Sequence, residues 1–160
     1  MVQEITLPDT KGIRTALDKV DFKDAYATTN HSNNLEEIAK MIFDQNPRWL
    51  QTLFKIRGFF GVYLGLKKHA PADYKDDFKV GGHVKFFKIY SIDPNEIILG
   101  ANDNHLNFRV SIYNAGTLKN NIQLSTLVKY HNRTGKIYMQ LIAPFHRMVI
   151  RYMLQRATQN

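Results

Sequence analysis

Gly100-Ala-Asn-Asp103-Asn-His105 followed by Leu106-Asn-Phe-Arg-Val-Ser-Ile-Tyr113, and after a break by Ile122-Gln-Leu-Ser-Thr-Leu-Val-Lys-Tyr130, is the stretch that decides the fold. Leu106, Phe108, Val110 and Ile112 fall on one side of a period-two pattern, with Asn107, Arg109, Ser111 and Tyr113 on the other. Asn114-Ala-Gly116 closes the first run, and the second repeats the alternation with Ile122, Leu124, Thr126, Val128 and Tyr130. The period then changes. Ile137, Leu141, Phe145, Met148 and Tyr152 recur at helical spacing, and this stripe is expected to pack on the face bearing Leu106, Phe108, Val110 and Ile112. Pro144 lies inside that helix and is expected to kink it. Antiparallel strands feeding one long C-terminal helix are an α+β signature.

Working outward, Val84–Ile92 and Glu96–Ala101 read as two more strands joined by Asp93-Pro94-Asn95, a turn of suitable residues. His69 to Gly82 reads as an exposed connection. Before it, Asn34 and Glu37 have capping-box spacing ahead of Leu35, Ile38, Ala39, Ile42 and Phe43, which predicts a short amphipathic helix. Asn46 and Pro47 predict the start of a second helix, with Trp49, Leu50, Leu53, Phe54, Ile56 and Phe60 as its apolar face and Gly58, Gly61 and Gly65 near its end. Phe22–Asn30 reads as the first strand, and residues 1–20 as an extended arm with a short turn. The expectation is therefore about five strands, with two short helices after the first.

The chain of 160 residues is expected to form one domain, 1–160. Hydrophobic residues make up 44% and aromatics 12%, which supplies a core. No cysteine is present, so thiolate chemistry and disulfides are excluded, and a cytoplasmic location is expected. The opening Met-Val-Gln-Glu-Ile-Thr does not read as a secretory signal. No apolar run approaches the roughly 20 residues of a spanning helix. The net charge of +8 is dispersed along the chain rather than gathered in a run, which argues against specific nucleic-acid binding.

Three constellations carry possible chemistry. If the strand begins as early as Asp103, then Asp103, His105, Asn107 and Arg109 share one face, and Lys129 and His131 on the next strand would join them. A histidine between a carboxylate and a guanidinium suits proton transfer or a carboxylate ligand, while a solvated polar face is the plainer reading. His146, two turns beyond Tyr138 and close to Pro144, is a candidate for the polar end of a ligand, with Phe145 beside it. The plainer role is a helix histidine capping a carbonyl or touching a strand. Arg147, Arg151 and, more loosely, Arg156, together with Trp49, Phe54, Phe59, Phe60 and Tyr63, would suit peripheral membrane contact, or else a solvated face and a core. The histidines lack metal-ligand spacing, and neither metal nor cofactor is expected.

Several segments resemble a bacterial family of unknown function, Domain of Unknown Function 2867. They are Asp24-Ala25-Tyr26; Pro47-Arg48-Trp49 through Arg57 to Gly65-Leu66; Gly100 through Val110; Ser125-Thr126-Leu127-Val128 with His131-Asn132; and Gly135-Lys136-Ile137-Tyr138 with Pro144-Phe145-His146-Arg147. Asn102 and Asn107 stand where that family is expected to carry acids, and Lys136 where an arginine is usual. The resemblance places the chain in the START-like (SRPBCC, helix-grip) superfamily, which implies a curved antiparallel sheet wrapped around a long C-terminal helix and a hydrophobic cavity between them. It implies binding of a small apolar or amphipathic ligand, with His146, Tyr138, His105, Arg109, His131 and Phe145 as candidate contacts. The alternatives are a cofactor-free cyclase, hydratase or isomerase using His146, Tyr138 or His105 as acid or base, and a protein-interaction module. The chain has no GxGxxG and no βαβ run of its own.

Overall fold

Alternating apolar residues in the last third of the chain build the centre of a seven-stranded antiparallel sheet. The computed structural model describes residues 1–43 and 73–158; the helix expected from Asn46 to Gly65, with Trp49 and Phe60, lies outside the described residues. The strands are β1 (Gln3–Glu4), β2 (Phe22–Thr28), β3 (His83–Val84), β4 (Phe87–Asp93), β5 (Glu96–Asn102), β6 (Leu106–Asn114) and β7 (Ile122–Tyr130). The helices are α1 (Lys11–Ala16), α2 (Leu35–Phe43) and α3 (Arg133–Arg156). The strands lie side by side in the order β1-β2-β7-β6-β5-β4-β3, with every neighbouring pair antiparallel.

The sheet has two strands more than the five expected, because β1 and β3 are two-residue strands too short to show a period. The run from Val84 to Ile92 is divided where Lys85 takes a φ of 55°, a left-handed conformation that turns the chain between β3 and β4. The N-terminal arm is more ordered than an extended tail, since it contributes both β1 and α1. Asn34 and Glu37 form the expected reciprocal cap of α2. The Glu37 N–H donates to Asn34 Oδ1 at 2.9 Å, and the Asn34 N–H donates to Glu37 Oε2 at 3.0 Å.

Register places Ile89, Leu99, Val110, Thr126 and Asp24 in one row across β4, β5, β6, β7 and β2. Five strands thus supply an inner row that is apolar at Ile89, Leu99 and Val110 and polar at its Thr126–Asp24 end. α2 and the C-terminal half of α3 cover this inner face, with Ile38, Ile42, Ile150, Met153 and Leu154 buried against Tyr26, Ile112 and Leu124. A smaller cluster of Leu106, Val128, Tyr138 and Met139 holds the N-terminal half of α3. Each fully buried aliphatic side chain of this kind contributes about 1.5–3 kcal/mol.

The face of α3 that packs is not the one the apolar stripe predicts. Ile137, Leu141, Phe145 and Met148 are 52%, 59%, 54% and 50% exposed, whereas Tyr138, Met139, Ile150, Met153 and Leu154 are buried. Of the predicted stripe only Tyr152 packs partly against the main core. The helix runs unbroken through Pro144 for 24 residues. Two apolar sides compete on this helix, and the sheet takes the one containing Leu154, because it fits the pocket left by α2.

The polar side of β6 is also not open to water. Arg109 and Ser111 are 7% and 0% exposed, since α1 lies across β5 and β6 on the outer face. A buried carboxylate fastens it there. Glu96 Oε1 accepts from the hydroxyls of Thr10 and Ser111, each at 2.6 Å, and Oε2 accepts from the Gly12 N–H at 3.1 Å. Thr10 also caps α1 by accepting from the Ile13 N–H.

Candidate functional site

Asp24 is the residue that makes the seam between the sheet and α3 chemically unusual. Strand alternation puts Phe22, Asp24, Tyr26 and Thr28 on the inner face of β2, so a carboxylate stands among core residues. Its side chain is 4% exposed. Both carboxylate oxygens are buried without a hydrogen-bond partner, an arrangement that costs stability unless another group compensates.

The nearest compensating group comes from α3. His146 Nε2 lies 3.4 Å from Asp24 Oδ2 and 3.2 Å from Thr126 Oγ1. Phe22 presents its ring edge-on to the imidazole, with centroids 6.1 Å apart, and so limits how the histidine can rotate. The Tyr26 hydroxyl is held above its usual range, first by burial and then by the negative charge of Asp24. The cluster therefore combines a carboxylate, an imidazole and a hydroxyl, drawn from β2, α3 and β7.

Beside this cluster, at the β1–β2 end of the sheet, a pocket of about 420 Å³ opens between the N-terminal arm and α3. Ile5, Leu7 and Ala25 give it apolar walls, Lys23 and Arg147 bring charge to it, and Asp24 borders it. Such a mixture presents one surface to a hydrocarbon body and another to a polar group.

The other sequence candidates go elsewhere. Tyr138 is buried in the smaller cluster with Leu106 and Val128, and Phe22, which packs against that cluster, links it to His146. Phe145, one residue from His146, faces outward. β6 begins at Leu106, so Asp103 and His105 precede the strand rather than sharing a face with Arg109. His105 belongs instead to the start of α3: Asn132 Nδ2 stands 2.9 Å from its Nδ1, and Asn132 Oδ1 caps the helix by accepting from the Gly135 N–H at 3.0 Å. The His131 N–H donates to the backbone oxygen of His105. Lys129 pairs with Asp18, its Nζ donating to both carboxylate oxygens at 2.8 and 2.7 Å. Arg109 is buried away from both histidines, with its guanidinium carbon 3.7 Å from the centre of the Tyr90 ring.

Sequence reasoning singled out His146 but missed its partners, Asp24 and Thr126. The available signal was an aspartate in phase with Phe22 and Tyr26, on the side of a strand that alternation assigns to the core. Among the described residues, no group of three or more His, Asp or Glu side chains is placed to hold a metal ion. No described helix is long and apolar enough to cross a membrane.

A family model described as "Protein of unknown function (DUF2867)" matches residues 16–153. No curated protein and no solved structure matches the chain.

Proposed function

We propose, from the premise that this chain belongs to the DUF2867 family, that it is a START-like helix-grip domain that binds a small amphipathic molecule at the seam between β2 and α3. The antiparallel order from β2 through β7 to β3, with α2 following β2 and one long helix across the inner face, supports the helix-grip reading. The observation that carries the binding reading is the pair Asp24–His146 beside the seam pocket. A carboxylate buried with neither oxygen hydrogen-bonded opposes folding, and sites that oppose folding are retained where function uses them. The ligand's polar end faces Lys23, Arg147 and the Asp24–His146 cluster, and its apolar body lies along Ile5, Leu7 and Ala25.

The test is thermal denaturation of the purified protein with decanoate, decanol and decylamine as probes of one chain length and different head groups. Saturable stabilisation by at least one of them, reduced in Arg147→Glu and Leu7→Asp, supports the reading. Equal, unsaturable responses in wild type and variants would oppose it.

A second reading rests on the same cluster. An imidazole held between a carboxylate and a hydroxyl has the parts of a general acid or base, so a cofactor-free isomerase, hydratase or cyclase would place its proton transfer at His146. Turnover that disappears in His146→Ala while ligand binding persists would favour this reading over carriage alone.

A further inference from the structure

We propose that the outer face of the sheet carries a second site, independent of the seam, in which Arg109 receives the carboxylate of a small organic acid. The cavity has a volume of about 250 Å³ and lies between α1 and the outer face of β4, β5 and β6. Gly12, Thr15 and Ala16 of α1 wall it on one side, and Tyr90, Ser91, Ile98 and Arg109 form the rest.

The guanidinium is held in place but not neutralised. Arg109 is 7% exposed, yet it forms no ion pair among the described residues. Among the described residues all its hydrogen bonds leave from one nitrogen: Nη1 donates to the backbone oxygens of Phe108 at 2.8 Å and Ala101 at 3.3 Å, and to Asn102 Oδ1 at 2.9 Å. The Nε and Nη2 hydrogens have no acceptor among the described residues, and together they form the edge of the fork that matches a carboxylate with two parallel bonds. Burial lowers the Arg109 pKa from its usual value, although the group remains a cation at any ordinary pH. Glu96 is not paired with it: that carboxylate turns to Thr10, Gly12 and Ser111, from which it accepts its hydrogen bonds.

Two backbone features aim the parts. Gly100 lies directly opposite Arg109 on β5, and a side chain there would strike the Phe108 oxygen and the Arg109 Cδ; its absence leaves the guanidinium room over β5. Between Ile89 and Ser91 the register of β4 shifts, a bulge that brings Tyr90 and Ser91 to the same cavity and sets the Tyr90 ring against the guanidinium. The stacked ring fixes the fork in one plane.

Size and charge choose the ligand class. The cavity is smaller than the roughly 300–1,000 Å³ of sites for drug-sized molecules. A lone guanidinium matches the single charge of a monocarboxylate rather than a doubly charged phosphate, which would remain half uncompensated at a buried site. Ile98 and Ala16 offer an apolar wall to the acid's body, and the Thr15 and Ser91 hydroxyls lie within the same cavity.

The experiment is an amide chemical-shift titration of the whole protein with sodium benzoate, the neutral isostere benzamide, and sodium phosphate. Benzoate is expected to give saturable shifts at Thr15, Ala16, Ser91 and Ile98 that benzamide and phosphate do not give. Arg109→Lys is expected to weaken benzoate about tenfold or more, since a point charge replaces the planar fork. Ala16→Phe fills the cavity and leaves Arg109 in place; it should abolish those shifts with the rest of the spectrum unchanged, which keeps the test valid even if Arg109→Lys fails to fold. Absence of saturable shifts, equal binding of benzamide or phosphate, or benzoate binding that survives Ala16→Phe would overturn the proposal. None of these outcomes bears on the seam pocket.

Discussion

The Glu96 carboxylate on β5 accepts the backbone N–H of Gly12 in the first turn of α1 at 3.1 Å, and thereby joins a six-residue helix to the outer face of the sheet. A helix this short does not persist alone, so α1 depends on that buried contact and on the Thr10 and Ser111 hydroxyls that share it. Replacing Glu96 with alanine leaves three donors at that site unpaired, and urea denaturation should show a loss of about 2–4 kcal/mol. Gly12→Ala should also destabilise, by about 1–3 kcal/mol, because its Cβ would strike Glu96 Oε2. A change below about 0.5 kcal/mol in both variants would show that α1 is not fastened through Glu96.

Asp24 should behave in the opposite way. Its oxygens make no hydrogen bond, so Asp24→Asn, close to isosteric, removes a buried charge and sacrifices only the 3.4 Å contact to His146. We expect stability within about 1 kcal/mol of wild type and on the favourable side of it. Binding of the seam probe should nevertheless fall. A loss above about 2 kcal/mol would mark Asp24 as a structural group and remove the main support for the seam site.

The two sides of α3 make a direct comparison. Leu154 is fully buried, while Phe145 is 54% exposed. Leu154→Ala should cost about 2–5 kcal/mol, and Phe145→Ala less than about 1 kcal/mol. The reverse order, read from denaturation curves, would mean that the helix presents its other side to the sheet.

A strap between the arm and β7 should open in acid. Asp21 accepts the Tyr130 N–H at 2.8 Å and pairs with Lys19 at 2.8 Å; the Lys19 bond first, then the Tyr130 N–H, hold its carboxyl below the usual 3.8. A carboxyl with a depressed folded pKa contributes stability above its unfolded value and loses it as pH falls through the folded one. Hydrogen exchange should therefore show the Tyr130 amide losing protection below pH 3.8, while protection in Asp21→Asn changes less across that window. Unchanged protection in the wild type would show that the carboxylate does not hold this strand end.

Much of this architecture was legible in the sequence, because it rests on periods. Alternation in Leu106–Tyr113 and Ile122–Tyr130 gave β6 and β7 within a residue, and the Asn34–Glu37 pair gave the start of α2. What could not be read is decided by contacts between distant segments. Two-residue strands have no period, so β1 and β3 were invisible. On α3 the more regular apolar stripe is the exposed one, and only the shape of the core formed by α2, β6 and β7 selects the face with Ile150 and Leu154. Arg109 and Ser111 looked solvated because nothing in their own strand announces α1, whose attachment depends on a glutamate at the start of β5. The seam cluster was half legible for the same reason: His146 stood out by residue type, but its partners lie 122 and 20 residues away.

The most direct measurement of the central claim is native mass spectrometry of the freshly purified chain beside Thr6→Trp, whose bulky ring would fill the seam pocket that Thr6 lines. The account predicts a small amphipathic molecule co-purifying with the wild type at one per chain, and its loss from Thr6→Trp with the fold intact. A co-purifying molecule retained equally by both proteins, or none bound after exposure of the wild type to the decyl probes, would contradict it.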